Sequence, residues 1–191
     1  MTPPDQPPGT IRKLLKSETR LLKDHLLRLD ETARERRFGH HVSDAFIAGY
    51  AGKAAEFGTI IFGYFDGGDL RAAAELKRPK LGWGQIAEAA FSVERPLAGQ
   101  GIATALMGRV IRSARNRGVR HLILCCMAEN AKMRAIAAKY GAELRVEDGS
   151  IVGDIIPLIA DYYSLAGEMF DDRLAMMHAI LDLQIRMNRA A

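Results

Sequence analysis

Leu97-Ala-Gly-Gln-Gly-Ile-Ala-Thr-Ala-Leu106 decides how this chain is read. It follows an alternating run, Gln85-Ile-Ala-Glu-Ala-Ala-Phe-Ser-Val93, which reads as a strand stopped by Pro96. It leads into a helix predicted from Ile102 to Arg117, where Ile102, Leu106 and Val110 form one edge and Met107, Ile111 and Ala114 lie beside them. Gly99 and Gly101 therefore stand between a strand and a helix N-terminus. Lacking Cβ atoms, they let the main chain bend sharply and approach a ligand. The first helical N–H groups have no partner within the helix, and the helix dipole adds roughly half a positive charge there. A pyrophosphate placed at that end satisfies both. Two common phosphate motifs do not fit. A P-loop needs a Lys after its glycines, and a dinucleotide fingerprint needs a third glycine where Thr104 stands and an acidic residue about 20 positions on. A glycine turn without a ligand stays open as the plain alternative.

Outward from this loop the pattern alternates strands and helices. Ile11–Leu14 reads as a first strand, and Ser17 heads a helical run marked by Leu21, Leu22, His25, Leu26 and Leu29. Ser43 caps a second helix carrying Phe46, Ile47 and Tyr50. Gly58–Phe65 and Leu70–Leu76 form a hairpin around Asp66-Gly-Gly-Asp69. Beyond the central helix, His121–Met127 is apolar on both faces, as a central strand is. Asn130 caps a short helix that ends at Gly141, and Ala142–Val146 pairs with Ile151–Ile156 around Asp148-Gly149. From Leu158 the pattern is helical to the end, with a break expected at Gly167. The order predicts an α/β chain with a mixed sheet.

The 191 residues are 48% hydrophobic and 26% charged, ordinary for one globular domain with a sizeable core. No run approaches ~18 consecutive apolar residues, so no membrane span is expected. Residues 1–10 read as a disordered leader with no secretory signal. Cys125 and Cys126 are the only cysteines and are adjacent, which points to a reducing, cytoplasmic compartment. A net charge of +4, without interleaved aromatic and basic residues, points away from nucleic acid. The charge is uneven: Arg12–Arg37 holds nine basic and five acidic residues, whereas Glu143–Asp172 holds eight acidic residues and only Arg145 as a base.

Ala87-Glu-Ala-Ala-Phe-Ser-Val93, the glycine loop, Ala114-Arg-Asn-Arg-Gly118, Glu129-Asn-Ala-Lys-Met133 and Tyr140-Gly141 together resemble the Gcn5-related N-acetyltransferases (GNAT) over Ile11 to Ile156. The resemblance implies an acetyltransferase domain over residues 11–157, with a mixed, mostly antiparallel central sheet flanked by helices, and a helical C-terminal extension over 158–191. It implies acetyl-CoA as cosubstrate and no metal. The pyrophosphate would lie on the loop formed by Ala98, Gly99, Gln100, Gly101, Ile102, Ala103 and Thr104. The pantetheine arm would lie between the strands ending near Val93 and Met127, beside Phe91 and Ser92, with Asn130 and Met133 facing it. Ala98 stands where the family carries Gln or Arg, and Ala137 where a proton-donating Tyr is common.

Acetyl transfer to an amine needs a deprotonated nucleophile, a polarised thioester and a departing thiolate. Glu88 is the candidate base, against an equal reading as a solvated strand carboxylate. A backbone N–H near Val93 can polarise the carbonyl. Tyr140, one turn past Ala137, is a candidate acid, with packing before Gly141 the preferred reading. Cys125 and Cys126 point to opposite sheet faces and read as structural thiols. His40-His41 lacks metal-ligand spacing and reads as loop. Trp83 reads equally as a loop anchor over the acceptor cleft and as core. Arg109, Arg112, Lys132 and Arg134 are candidates for the CoA phosphates, while Glu143, Glu147, Asp148, Asp154 and Asp161 suggest a cationic primary amine as acceptor. In the final segment Phe170, Leu174, Met177 and Leu181 form an apolar stripe widened by Met176, Ile180, Leu183 and Met187, which predicts a homodimer or a lid. The expected activity is N-acetyl transfer by direct attack in a ternary complex. The alternative is a catalytically weak acyl-CoA-binding sensor.

Overall fold

The computed structural model describes residues 9–54, 58–78, 85–147 and 149–190. Its elements are β1 (Thr10–Lys13), α1 (Thr19–Arg28), α2 (Glu31–Phe38), α3 (Asp44–Ala54), β2 (Ile60–Asp66), β3 (Asp69–Lys77), β4 (Ile86–Val93), α4 (Ile102–Arg115), β5 (His121–Met127), α5 (Ala131–Lys139), β6 (Glu143–Glu147), β7 (Ser150–Ile155) and α6 (Tyr162–Ala190). Trp83 and Asp148 lie outside the described residues.

The strands form one sheet in the order β1-β2-β3-β4-β5-β7-β6. Every neighbouring pair is antiparallel except β4 and β5. A parallel pair needs a long crossover, and α4 supplies it. β4 and β5 pair only from Ile86 opposite His121 to Ala89 opposite Leu124. Beyond that point β4 stays with β3 as far as Val93, and β5 stays with β7 as far as Met127. The two strands therefore part, and their facing backbone edges leave the ladder.

Helices cover both faces. On one, α4 and α5 pack Leu106, Val110 and Ala137 on Phe62, Leu76, Ala89 and Leu124. On the other, α1 and α3 pack Leu22, Leu26 and Ile47 on Ile61, Phe65 and Ala73. The alanines of β3 belong to a strand although alanine favours helices, because Ala72, Ala73 and Ala74 are buried between these layers.

Two local expectations are corrected and one helix is added. The run headed by Ser17 forms α1, and a further helix, α2, follows it. Asp30 caps the second by accepting the Ala33 N–H at 2.8 Å, and Gly39 closes it. Ser17 caps nothing; instead the Glu18 carboxylate accepts the Leu15 N–H at 3.0 Å. Gly167 does not break α6, which runs unbroken for 29 residues.

α6 is polar toward its own domain. Ser164, Glu168, Ala175, Ala179 and Asp182 are buried, whereas Met169, Phe170, Met177 and Leu181 are more than half exposed. Glu168 accepts from Lys13 (3.0 Å), Ser113 (2.9 Å), Asn116 (2.7 Å) and Arg117 (2.8 Å). Asp182 accepts from Arg12 at 3.0 and 2.8 Å, and Arg12 also pairs with Glu18. Asp171 takes both Arg109 and Arg112, so these two arginines anchor α6 instead of a phosphate.

Burial alone would raise the Glu168 carboxyl, but hydrogen bonds from Asn116 and Lys13 and the charges of Lys13 and Arg117 outweigh it and hold the pKa at about 2. The folded value lies below the ordinary 4.5, so this stabilisation is complete above that pH and is lost as pH falls toward about 2. Glu168→Gln should cost roughly 2–4 kcal/mol of stability near neutrality, because it leaves the partly buried Lys13 and Arg117 short of a partner. In urea unfolding that cost should shrink markedly at a pH of about 3. An equal cost at both pH values would contradict this role.

Candidate functional site

The parting of β4 and β5 opens a trough of about 410 Å³. Its walls bring together Phe91, Ser92 and Val93 from β4, Ala98, Gly99, Gly101, Ile102, Ala103 and Thr104 from the loop and first turn of α4, and Asn130 and Met133 at the start of α5. Gln100 is not among them. Its side-chain amide donates to the Pro96 carbonyl at 3.0 Å, which turns it back on the loop. Asn130 caps α5 by accepting the Met133 N–H at 3.2 Å.

The loop is built to leave donors uncommitted. Gly99 and Gly101 have φ of 91° and 79°, a left-handed backbone that a side chain would strain. Open space surrounds the positions where their Cβ atoms would lie. Gly101 is the N-cap of α4 and offers no side chain to its first turn. The first bond into that helix runs from the Ala105 N–H to the Gly101 carbonyl, 3.0 Å. The amides of Gly101, Ile102, Ala103 and Thr104 therefore precede the helical ladder. The Ala98 amide is committed differently, donating to the Arg95 carbonyl at 3.1 Å, so it is lost as a phosphate donor.

A second, smaller cavity of about 190 Å³ continues from this trough, sharing Arg36, Phe91, Asn130 and Met133 with it. Glu88, Cys125 and Cys126 line it. Glu88 is exposed and stands beside the last paired residues of the two strands. Both cysteines are free. Burial, together with Glu88 and Glu147, pushes the Cys125 thiol up, which disfavours a thiolate there.

Tyr140 is not brought to either cavity. Its hydroxyl donates to the Thr104 carbonyl at 2.8 Å, tying α5 to α4, and burial pushes its pKa up. The geometry thus makes it a brace of the loop helix. Lys132, a candidate for the CoA phosphates, lines the trough. So does Arg36, which sequence reasoning missed because α2 has almost no apolar periodicity; the Asp30…Gly39 capping pair was the signal that could have found it.

The expected acidic patch is mostly spent on neighbours. Asp161 pairs with Arg115 (2.5 Å), Asp154 with His121 (2.9 Å) and Glu143 with Arg145 (2.6 Å). Glu88 and Glu147 remain as the carboxylates acting on the smaller cavity. His41 joins Glu31 and Glu35 with ligand atoms within 4.8 Å of one another, a group that borders neither cavity.

Comparison with known proteins agrees with this geometry. The family model described as Acetyltransferase (GNAT) family matches residues 13–142. The GNAT domain of S. lividans PAT superposes with a TM-score of 0.64 at 20% identity, covering 78% of this chain and 90% of that one. YncA, a putative acetyltransferase from Salmonella typhimurium solved with acetyl-CoA, gives 0.59 at 16% identity, covering 81% and 97%. The ribosomal-protein-S18-alanine N-acetyltransferase of Escherichia coli gives 0.59 at 20% identity, covering 81% and 97%. The match spans well over half of the sequence: this chain belongs to the GNAT acetyltransferase family and is an acyltransferase that uses acetyl-CoA as cosubstrate.

Proposed function

We propose that this chain moves an acetyl group from acetyl-CoA to a cationic primary amine by direct attack in a ternary complex. One observation carries the reading: a continuous opening has uncommitted loop amides at one end and an exposed carboxylate, Glu88, at the other. Gly101, Ile102, Ala103 and Thr104 would hold the pyrophosphate through main-chain N–H groups, assisted by Lys132 and Arg36. The freed edges of β4 and β5 would hold the extended arm as a short strand is held. Glu88 would take the proton of the attacking amine, directly or through a water. Acid assistance to the leaving group is dispensable, since a thiol of pKa ~8.5 leaves as thiolate, which accommodates Ala137 and the engaged Tyr140. Glu88 and Glu147 favour a cation, such as a polyamine, an aminoglycoside-like amine or a protein lysine. Two free cysteines support placing the protein in the cytoplasm.

The reading extends to a second copy. α6 turns Met169, Phe170, Met177, Ile180, Leu181 and Met187 outward, each more than half exposed, while its acids grip the domain. Large apolar side chains at this exposure offer on the order of 1,000 Å² along a helix about 43 Å long, against ~800 Å² per partner in a standard interface. The face carries one exposed charge, Arg173, among these apolar side chains, which can meet their own copies across a twofold axis. A membrane-surface helix would instead show Lys and Arg beside its apolar face. Light scattering should report a dimer, and Met177→Glu with Leu181→Glu should give a monomer; a monomeric wild type would contradict this.

Gly101→Ala should raise the dissociation constant for CoA at least tenfold by calorimetry, since a left-handed non-glycine residue costs ~1–2 kcal/mol and its methyl group enters the cradle. Unchanged affinity would contradict the placement of the pyrophosphate. With spermidine, an aminoglycoside and a lysine peptide as acceptors, Glu88→Gln should lower kcat about 10²-fold in a CoA-release assay while CoA binding holds. Turnover at the wild-type rate would remove Glu88 as the base.

A further inference from the structure

His25 is fully buried, yet the proposed transfer gives it no task. Its Nε2 lies 2.9 Å from the Ser92 Oγ, and its Nδ1 lies 3.1 Å from the Glu94 Oε1. Glu94 is in turn held by Arg28 at 3.0 Å and Arg71 at 2.9 Å. A hydroxyl and a carboxylate two residues apart at the end of β4 thus form a chain with an imidazole brought from α1. Ser92 stands on the part of β4 that has left β5, and it lines the acyl-CoA trough.

The direction of this chain follows from its ends. Burial would raise the Glu94 carboxyl, but the hydrogen bond from His25 and the positive charge of Arg28 hold it below the usual range, so it only accepts. Burial pushes the His25 imidazole down, against the pull of Glu94, so it is neutral at pH 7. A neutral imidazole that donates from Nδ1 must accept at Nε2. The Ser92 hydroxyl therefore donates to His25, which is the arrangement of a nucleophile, its base and the group that orients the base. A simple tie between α1 and β4 would not need a serine bordering the acyl trough.

We propose that Ser92, His25 and Glu94 give this protein a second, amine-independent activity, the cleavage of short acyl-CoA thioesters through an acyl-serine. The inference rests on the acyl-CoA site proposed above. The Ser92 oxygen attacks the thioester carbonyl carbon while its proton passes to His25 Nε2. The carbon–sulfur bond breaks, and the departing thiolate takes that proton, leaving CoA and an ester on Ser92. Water then attacks the ester carbonyl, giving its proton to His25, which returns it to the Ser92 oxygen as carboxylic acid departs.

The test uses the full chain with acetyl-CoA and no amine. Thiol release should show a burst approaching one equivalent of protein, followed by slow turnover above the protein-free rate. Acid-quenched samples should carry one added acetyl mass, mapped to the peptide containing Ser92. Ser92→Ala should abolish the adduct and cut release at least tenfold, and His25→Gln should remove the burst. Binding of acetyl-CoA is measured alongside by calorimetry. Binding without adduct or release overturns the acyl-serine and leaves the transferase reading standing; no binding overturns both. If a variant fails to fold, the wild-type adduct alone decides.

Discussion

The parting of β4 from β5 after Ala89 and Leu124 is the constraint on which the rest of the molecule depends. A parallel pair in an otherwise antiparallel sheet is stitched together at one end only. Everything downstream uses the gap: α4 crosses over it, the glycine loop closes its mouth, and α5 walls its far side. A main chain whose donors and acceptors are withdrawn from the ladder is costly unless something extended and polar occupies the space. Acetyl-CoA has that shape and polarity, with a diphosphate at one end suited to the start of α4.

Around this gap the protein spends charge in two distinct ways. At the trough, side-chain charge is sparse: the start of α4 offers backbone amides, and Lys132 and Arg36 are the cations among the lining residues. On the opposite flank, Arg12, Lys13, Arg109, Arg112 and Arg117 are bound to acids of α6. Of the basic segment only Lys13, among the described residues, reaches the acidic one, through Glu168 and Asp172; the acids of α6 are otherwise met by Arg12 and by arginines of α4 and the turn after it. Because those acids face inward, α6 carries its methionines and leucines outside.

The strand order around the loop, the capping Asn130 and the glycine-bounded start of α4 were legible in the sequence because each rests on local chemistry: alternation, a capping oxygen, a missing Cβ. α2 was not, since ETARERRF has no apolar face to betray a helix and is recognised only by its ends. Arg36 was missed with it. Periodicity finds the apolar stripe of α6, but not the arginines and lysine that hold the acids of its other face to the domain. Arg109 and Arg112 were assigned to phosphate because nothing local reveals Asp171, some sixty residues away. The set of His25, Ser92 and Glu94 was hidden for the same reason: α1 and β4 meet only in the folded chain.

A crystal structure of the full chain with CoA tests the central claim most directly. The account predicts the diphosphate on the amides of Gly101 to Thr104 and the pantetheine arm hydrogen-bonded between the separated ends of β4 and β5. A carrier bound elsewhere, with those amides facing only water, would contradict it.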